Sequence, residues 1–181
     1  KLRIQNYRNC PQGYRSYTFA DLDCTDDLLR SPKTWTVETK VSKAANAPAY
    51  LNSGLVKQAS ITNNVLTIKT AGNSRSLELP GPTTCKWCLL DAVGRMATAG
   101  IEEVCFSLLD EYDELCPRQL IRFTGEAEVN TPDGGVAIKS YQHTGVATVP
   151  GVFYVDSAGR VRFYLGDMQL LALTQKKGGV K

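Results

Sequence analysis

The sequence predicts an α/β protein in two parts, a small β-rich module over residues 1–74 and an α/β domain over residues 75–181. Three observations carry that reading. The texture changes at Ser76, where turn formers and short β-type runs give way to a strand, a Cys-Lys-Trp-Cys turn and a helical repeat of Leu89, Leu90, Val93 and Met96. Two apolar runs, 151–155 and 161–165, then flank the turn residues Asp156-Ser157-Ala158-Gly159. Charge divides near the same place: residues 1–70 carry ten Lys/Arg against five Asp/Glu, a net +5, and residues 71–181 carry eleven against thirteen, a net −2.

In the front module, 14–19, 34–41 and 65–69 read as strands and Asn63-Asn64 as a turn. Residues 19–29 hold Asp21, Asp23, Asp26 and Asp27, acids that favour the first turn of a helix, and predict the module's helix. Ser76-Leu77-Glu78-Leu79 alternates like a strand, Pro80-Gly81-Pro82 breaks it, and Thr83-Thr84 offers capping hydroxyls. A helix should therefore start near Cys85 and stop at Gly100, followed by a buried strand over 101–106. Pro117, Pro132 and Gly134-Gly135 divide two predicted short helices, 115–123 and 136–143. A final helix, 168–175, is stopped by Gly178-Gly179.

With 43% hydrophobic and 22% charged residues in 181, the chain reads as an ordinary globular protein. It has no apolar run approaching the ~20 residues that cross a bilayer. Its first residues lack a signal peptide's apolar stretch, so the expected location is the cytoplasm or the inside of an assembled particle. The absent initiator Met leaves room for a removed N-terminal segment. The basic front half shows no dense basic run and no basic-aromatic interleaving, so nucleic acid is not an expected partner.

Chemistry centres on the cysteines. A CxxC at a helix N-terminus places the first thiol where unpaired amides and the dipole favour a thiolate, and two residues of spacing let the second sulfur reach back. Cys85 would attack and Cys88 resolve, with Lys86 as a nearby cation and Trp87 as an aromatic face. Read from spacing alone, the pair is equally a zinc site or two inert thiols, and Cys85, Cys88, Cys105 and Cys116 could supply four thiolates. Cys10 and Cys24 are either paired or free. His143, the only histidine, raises a Cys88–His143 protease dyad as a further reading.

A second constellation, Thr148-Val149-Pro150 followed by a hydrophobic strand, makes the pattern specific. Together with Thr83-Thr84-Cys85-Lys86-Trp87-Cys88 and the segment Leu165-Gly166-Asp167, it resembles the glutaredoxin family, over about residues 75–178. Lys86 stands where that family usually has proline, and Leu165-Gly166 where it has a Gly-Gly pair. The resemblance implies a thioredoxin-like fold, a cis Pro150 beside the cysteines, and glutathione held by Lys86, Trp87, Thr148, Val149, Pro150, Gly166 and Asp167.

The function so implied is that of a glutathione-linked thiol-disulfide oxidoreductase acting on a disulfide-containing or glutathionylated protein, with no metal. The alternative, from another class, is a binding or structural protein that keeps such a domain as a scaffold. In that case residues 1–74 would dock a protein partner or join a larger assembly.

Overall fold

The computed structural model describes residues 1–9, 14–43, 53–110, 112–131, 134–166 and 169–172. Six strands, β1 (Leu2–Asn9), β2 (Tyr14–Cys24), β3 (Pro32–Lys43), β4 (Ser53–Thr62), β5 (Val65–Thr70) and β6 (Asn73–Glu78), form one antiparallel sheet in chain order. Next come β7 (Thr83–Cys85), a 3₁₀ turn (Lys86–Cys88) and helix α1 (Leu89–Ala99). The remaining strands are β8 (Glu103–Asp110), β9 (Glu114–Thr131), β10 (Gly134–Gly145), β11 (Gly151–Asp156), β12 (Val161–Gly166) and β13 (Gln169–Ala172). Strands β7 to β13 make a second sheet, also in chain order, and only β7 and β8 run parallel because α1 carries the chain back between them.

The first sheet follows from plain alternation. Leu22, Trp35, Ala59 and Ile68 stand opposite one another on successive strands and are all buried, while the adjoining row of Asp21, Thr36, Gln58 and Lys69 is exposed. Asn63 and Asn64 turn β4 into β5 with φ of 50° and 60°, the left-handed pair a two-residue hairpin needs. The second sheet is less regular. Its register shifts between Phe106 and Leu108, between Ser140 and Tyr141, and between Tyr154 and Val155.

Two cores result. One lies between the second sheet and α1, with Val93, Met96, Phe106, Ile121, Tyr141, Phe153 and Val155 among its members. The other is shared: Leu22, Trp35, Val37, Leu66 and Ile68 of the first sheet meet Cys85, Cys88, Leu109 and Tyr112. Helix α1 sits close to the β11–β12 turn because Gly94 has no side chain; a Cβ there would lie 2.2 Å from the Gly159 carbonyl oxygen. Charges reinforce the junction. Arg30 pairs with Asp26 and Asp91, Arg95 pairs with the same two acids, and Lys57 and Arg75 of the first sheet both reach Asp113.

The α/β, thioredoxin-like expectation is therefore corrected to a mostly-β fold. Residues 19–29, predicted helical, hold the end of β2 and a turn. Residues 115–123 lie in β9, 136–143 in β10, and the described part of 168–175 is β13. The strand, CxxC, helix, strand unit does form, with α1 ending at Gly100 in the left-handed conformation, but it is embedded in a β meander.

Candidate functional site

Strand β7 is wholly buried, and Thr84 Oγ1 donates to the Leu29 carbonyl at 2.6 Å, pinning the β2–β3 loop over it. Cys85 ends the strand in an extended conformation, and the 3₁₀ turn brings Cys88 to the start of α1. The two sulfurs stand 2.9 Å apart. A third, Cys24 at the end of β2, lies 3.9 Å from Cys88. Cys85 is 1% exposed and Cys88 0%.

The hydrogen bond with Cys85, then burial, then the neighbouring sulfur push the Cys88 thiol far above its ordinary range. Burial, reinforced by Cys88, pushes Cys24 up to about 12. Both therefore stay protonated at neutral pH, and the pair presents no sulfur to an external disulfide. An attacking cysteine that meets a substrate at the surface is not what this arrangement offers.

The other predicted residues scatter. Lys86 lies 3.9 Å from Asp110, and Trp87 packs partly buried against the shared core. Thr148 donates to Gln119 at 2.9 Å, Val149 and Pro150 are exposed, and no cis peptide bond occurs among the described residues, so Pro150 is trans. Gly166 is buried at the end of β12, where the Tyr164 ring occupies the space a side chain would need. Asp167 and Cys10 lie outside the described residues. The four-thiolate set is not assembled: Cys105 is exposed on β8 and Cys116 is buried in the helix-side core, apart from Cys85 and Cys88.

His143 is taken by a polar network rather than by Cys88. The Gln119 side-chain nitrogen donates to the carbonyls of Pro117 and Val146, which fixes its amide orientation and makes Oε1 the acceptor. His143 Nε2, 2.9 Å from that oxygen, must then carry the proton, and Thr148 donates to the same atom. Phe106 stacks on the imidazole. The network fastens the β10–β11 connection to β9; the sequence signals it only as a Gln and a His without partners.

Two surfaces remain. An open groove of about 560 Å³ crosses β1 to β4 on the outward face of the first sheet, where Arg3, Asp21, Asp23, Thr34, Thr36 and Gln58 line it. Arg3 and Asp21 pair across it at 2.7 Å. On the second sheet, the face turned away from α1 carries two apolar rows. Val152, Leu165 and Leu170 stand opposite one another, as do Tyr154, Phe163 and Ala172. Leu170 is 65%, Leu165 49% and Phe163 43% exposed. Sequence reasoning assigned 168–175 to a helix and so missed this face.

No protein-family model matches the chain, and no curated protein does. Among solved structures, the crystal structure of the beta-barrel-like protein of domain of unknown function DUF1849 from Brucella abortus resembles it, with a TM-score of 0.54. The match covers 88% of this chain and 73% of that one at 13% identity, which shows a shared fold and nothing further. That β-barrel-like likeness, with the strands above, overturns the glutaredoxin resemblance. The thioredoxin-like fold and the glutathione-linked oxidoreductase reading fall with it. Among the described residues no helix is long and apolar enough to cross a membrane.

Proposed function

We propose that the chain works by binding rather than by catalysis, as a β-scaffold that associates through the outer face of β11, β12 and β13. The observation that supports this is the pair of exposed apolar rows ending at β13, which among the described residues has a neighbour on one side only. Contiguous apolar surface on a sheet face costs free energy in water and marks a docking surface. An open terminal strand is a second route to pairing.

The occupant is a second copy of the chain. The row of Leu165 and Val152 continues through Gln142 to Arg122 and Glu103, which satisfy each other at 2.7 Å, so that row brings no net charge to a contact between two identical faces. Sheets stack face to face at ~10 Å with side chains interleaved, which suits Leu165, Leu170 and Phe163 meeting their own counterparts across a two-fold axis.

Sedimentation over a range of concentrations tests this. The native chain should shift from monomer to dimer as concentration rises, and a Leu165→Lys, Leu170→Lys double variant should remain monomeric with unchanged circular dichroism. A native chain that stays monomeric throughout, or a double variant that dimerises as well as the native one, overturns the reading.

A further inference from the structure

Three thiols from three separate segments converge in the shared core. Cys24 comes from the end of β2, Cys85 from β7, and Cys88 from the start of α1. Cys88 is the middle sulfur, 2.9 Å from Cys85 and 3.9 Å from Cys24. Unbonded carbons, smaller than sulfur, rest ~3.5–4.0 Å apart, so the Cys85–Cys88 approach is already between contact and a bond of ~2.05 Å.

The loop that delivers Cys24 is held in place independently. Thr84 bonds Leu29, and Arg30 reaches both Asp26 and Asp91. The third thiol is thus fixed beside the other two by contacts that do not involve sulfur.

We propose that Cys24, Cys85 and Cys88 are an internal oxidation site whose product is a covalent staple between the first sheet and α1. Hydrogen peroxide is the oxidant, and its O–O bond breaks as the sulfur–sulfur bond forms. Cys85 and Cys88 each give up a hydrogen, the peroxide takes the two protons and two electrons and leaves as two waters, and a Cys85–Cys88 bond forms. Cys24 then attacks the Cys88 sulfur, the sulfur of Cys85 leaves, and the proton of Cys24 passes to it; no electrons are gained or lost in this exchange.

The resulting Cys24–Cys88 bond spans 64 residues of chain. It constrains the unfolded chain far more than a bond across two intervening residues. No external thiol enters any step, which separates this chemistry from turnover on a substrate. It is independent of the proposed association, since the thiols are buried at β7, one edge of the second sheet, and the apolar rows lie on β11 to β13 at the other.

Peptide mapping tests it directly, because trypsin places the three cysteines in different fragments, residues 16–30, 76–86 and 87–95. The folded chain is incubated with hydrogen peroxide, remaining thiols are alkylated after denaturation, and the fragments are identified by mass. Cross-linked fragments should contain Cys88 joined to Cys85 or to Cys24, each lighter by two hydrogens, with Cys105 and Cys116 still alkylated.

Cys85→Ser should give the Cys24–Cys88 bond alone and a higher thermal midpoint when oxidised than when reduced. Cys24→Ser should give the Cys85–Cys88 bond alone. Cys24 and Cys88 both remaining as thiols in Cys85→Ser overturns the proposal. So does a native chain in which Cys88 is found unlinked or joined to Cys105 or Cys116. Because the native chain and two single variants each report, the test survives a variant that fails to fold.

Discussion

The two sheets differ in how strictly they keep register. In the first, pairing runs unbroken from strand to strand, apart from one shift at Asp23/Cys24 where β2 leaves the sheet. In the second, three shifts re-aim side chains, and it is this sheet that packs on α1 and holds the buried Gln119–His143 network. Unbroken alternation yields one buried row and one wet row. Irregularity lets a sheet enclose something.

The sheets differ also in independence, since the second has a core with α1 whereas the first buries its apolar row only in the core it shares. Trp35→Ala should break that asymmetry most severely. Removing an indole at 4% exposure costs ~3–5 kcal/mol, and the loss should appear as one cooperative transition at lower denaturant. Two separated transitions would mean that the shared core does not couple the sheets. Gly94→Ala tests the other core. Alanine favours helices, yet here its methyl meets the Gly159 carbonyl, so a loss of about 1–3 kcal/mol is expected in place of a gain.

The smallest effect concerns acid. Burial alone would raise the Asp156 carboxyl, but the amide of Arg160 and the guanidinium groups of Arg162 and Arg160 outweigh it and hold the group below its ordinary 3.8. A lowered folded value means that the unfolded chain takes up the proton first. The stabilisation is complete above the ordinary value and is lost as pH falls through the folded one. Asp156→Asn should lower stability at neutral pH and flatten its decline under acid; an equally steep decline in the variant would assign the acid sensitivity elsewhere.

These irregularities also explain what could be read in advance. The strands around Val37 and Ile68 were legible because apolar and polar residues alternate there, and those around Phe106 and Phe153 because they lie in short apolar runs. In β10 the shift at Ser140/Tyr141 leaves Ile138, Tyr141 and His143 buried, so the first interval is three residues. In β9 the bulge at Pro117 and Arg118 sets Cys116, Gln119 and Ile121 at intervals of three and two. A spacing of three is what one face of a helix looks like, so these two segments carry no clear strand period to set against a helical reading.

Residues 19–29 failed differently. Ala20 and Leu22 alternate with Asp21 and Asp23 as a strand should, but four acids at a presumed helix start outweighed the pattern. Of the candidate site, the sequence showed Cys85 and Cys88 as neighbours. It could not show Cys24 beside them, because that contact depends on how a loop closes 64 residues away.

Chain order within the sheets bears on the route by which the protein assembles. Nearly every strand pairs with the one made just before it, so each hairpin can close over a short stretch of chain. The exception is the meeting of Leu22 and Trp35 with Leu109 and Tyr112, which joins the earliest strands to the middle of the chain. That encounter closes a far longer loop than any hairpin does, so it costs more loop-closure entropy and should come late in folding.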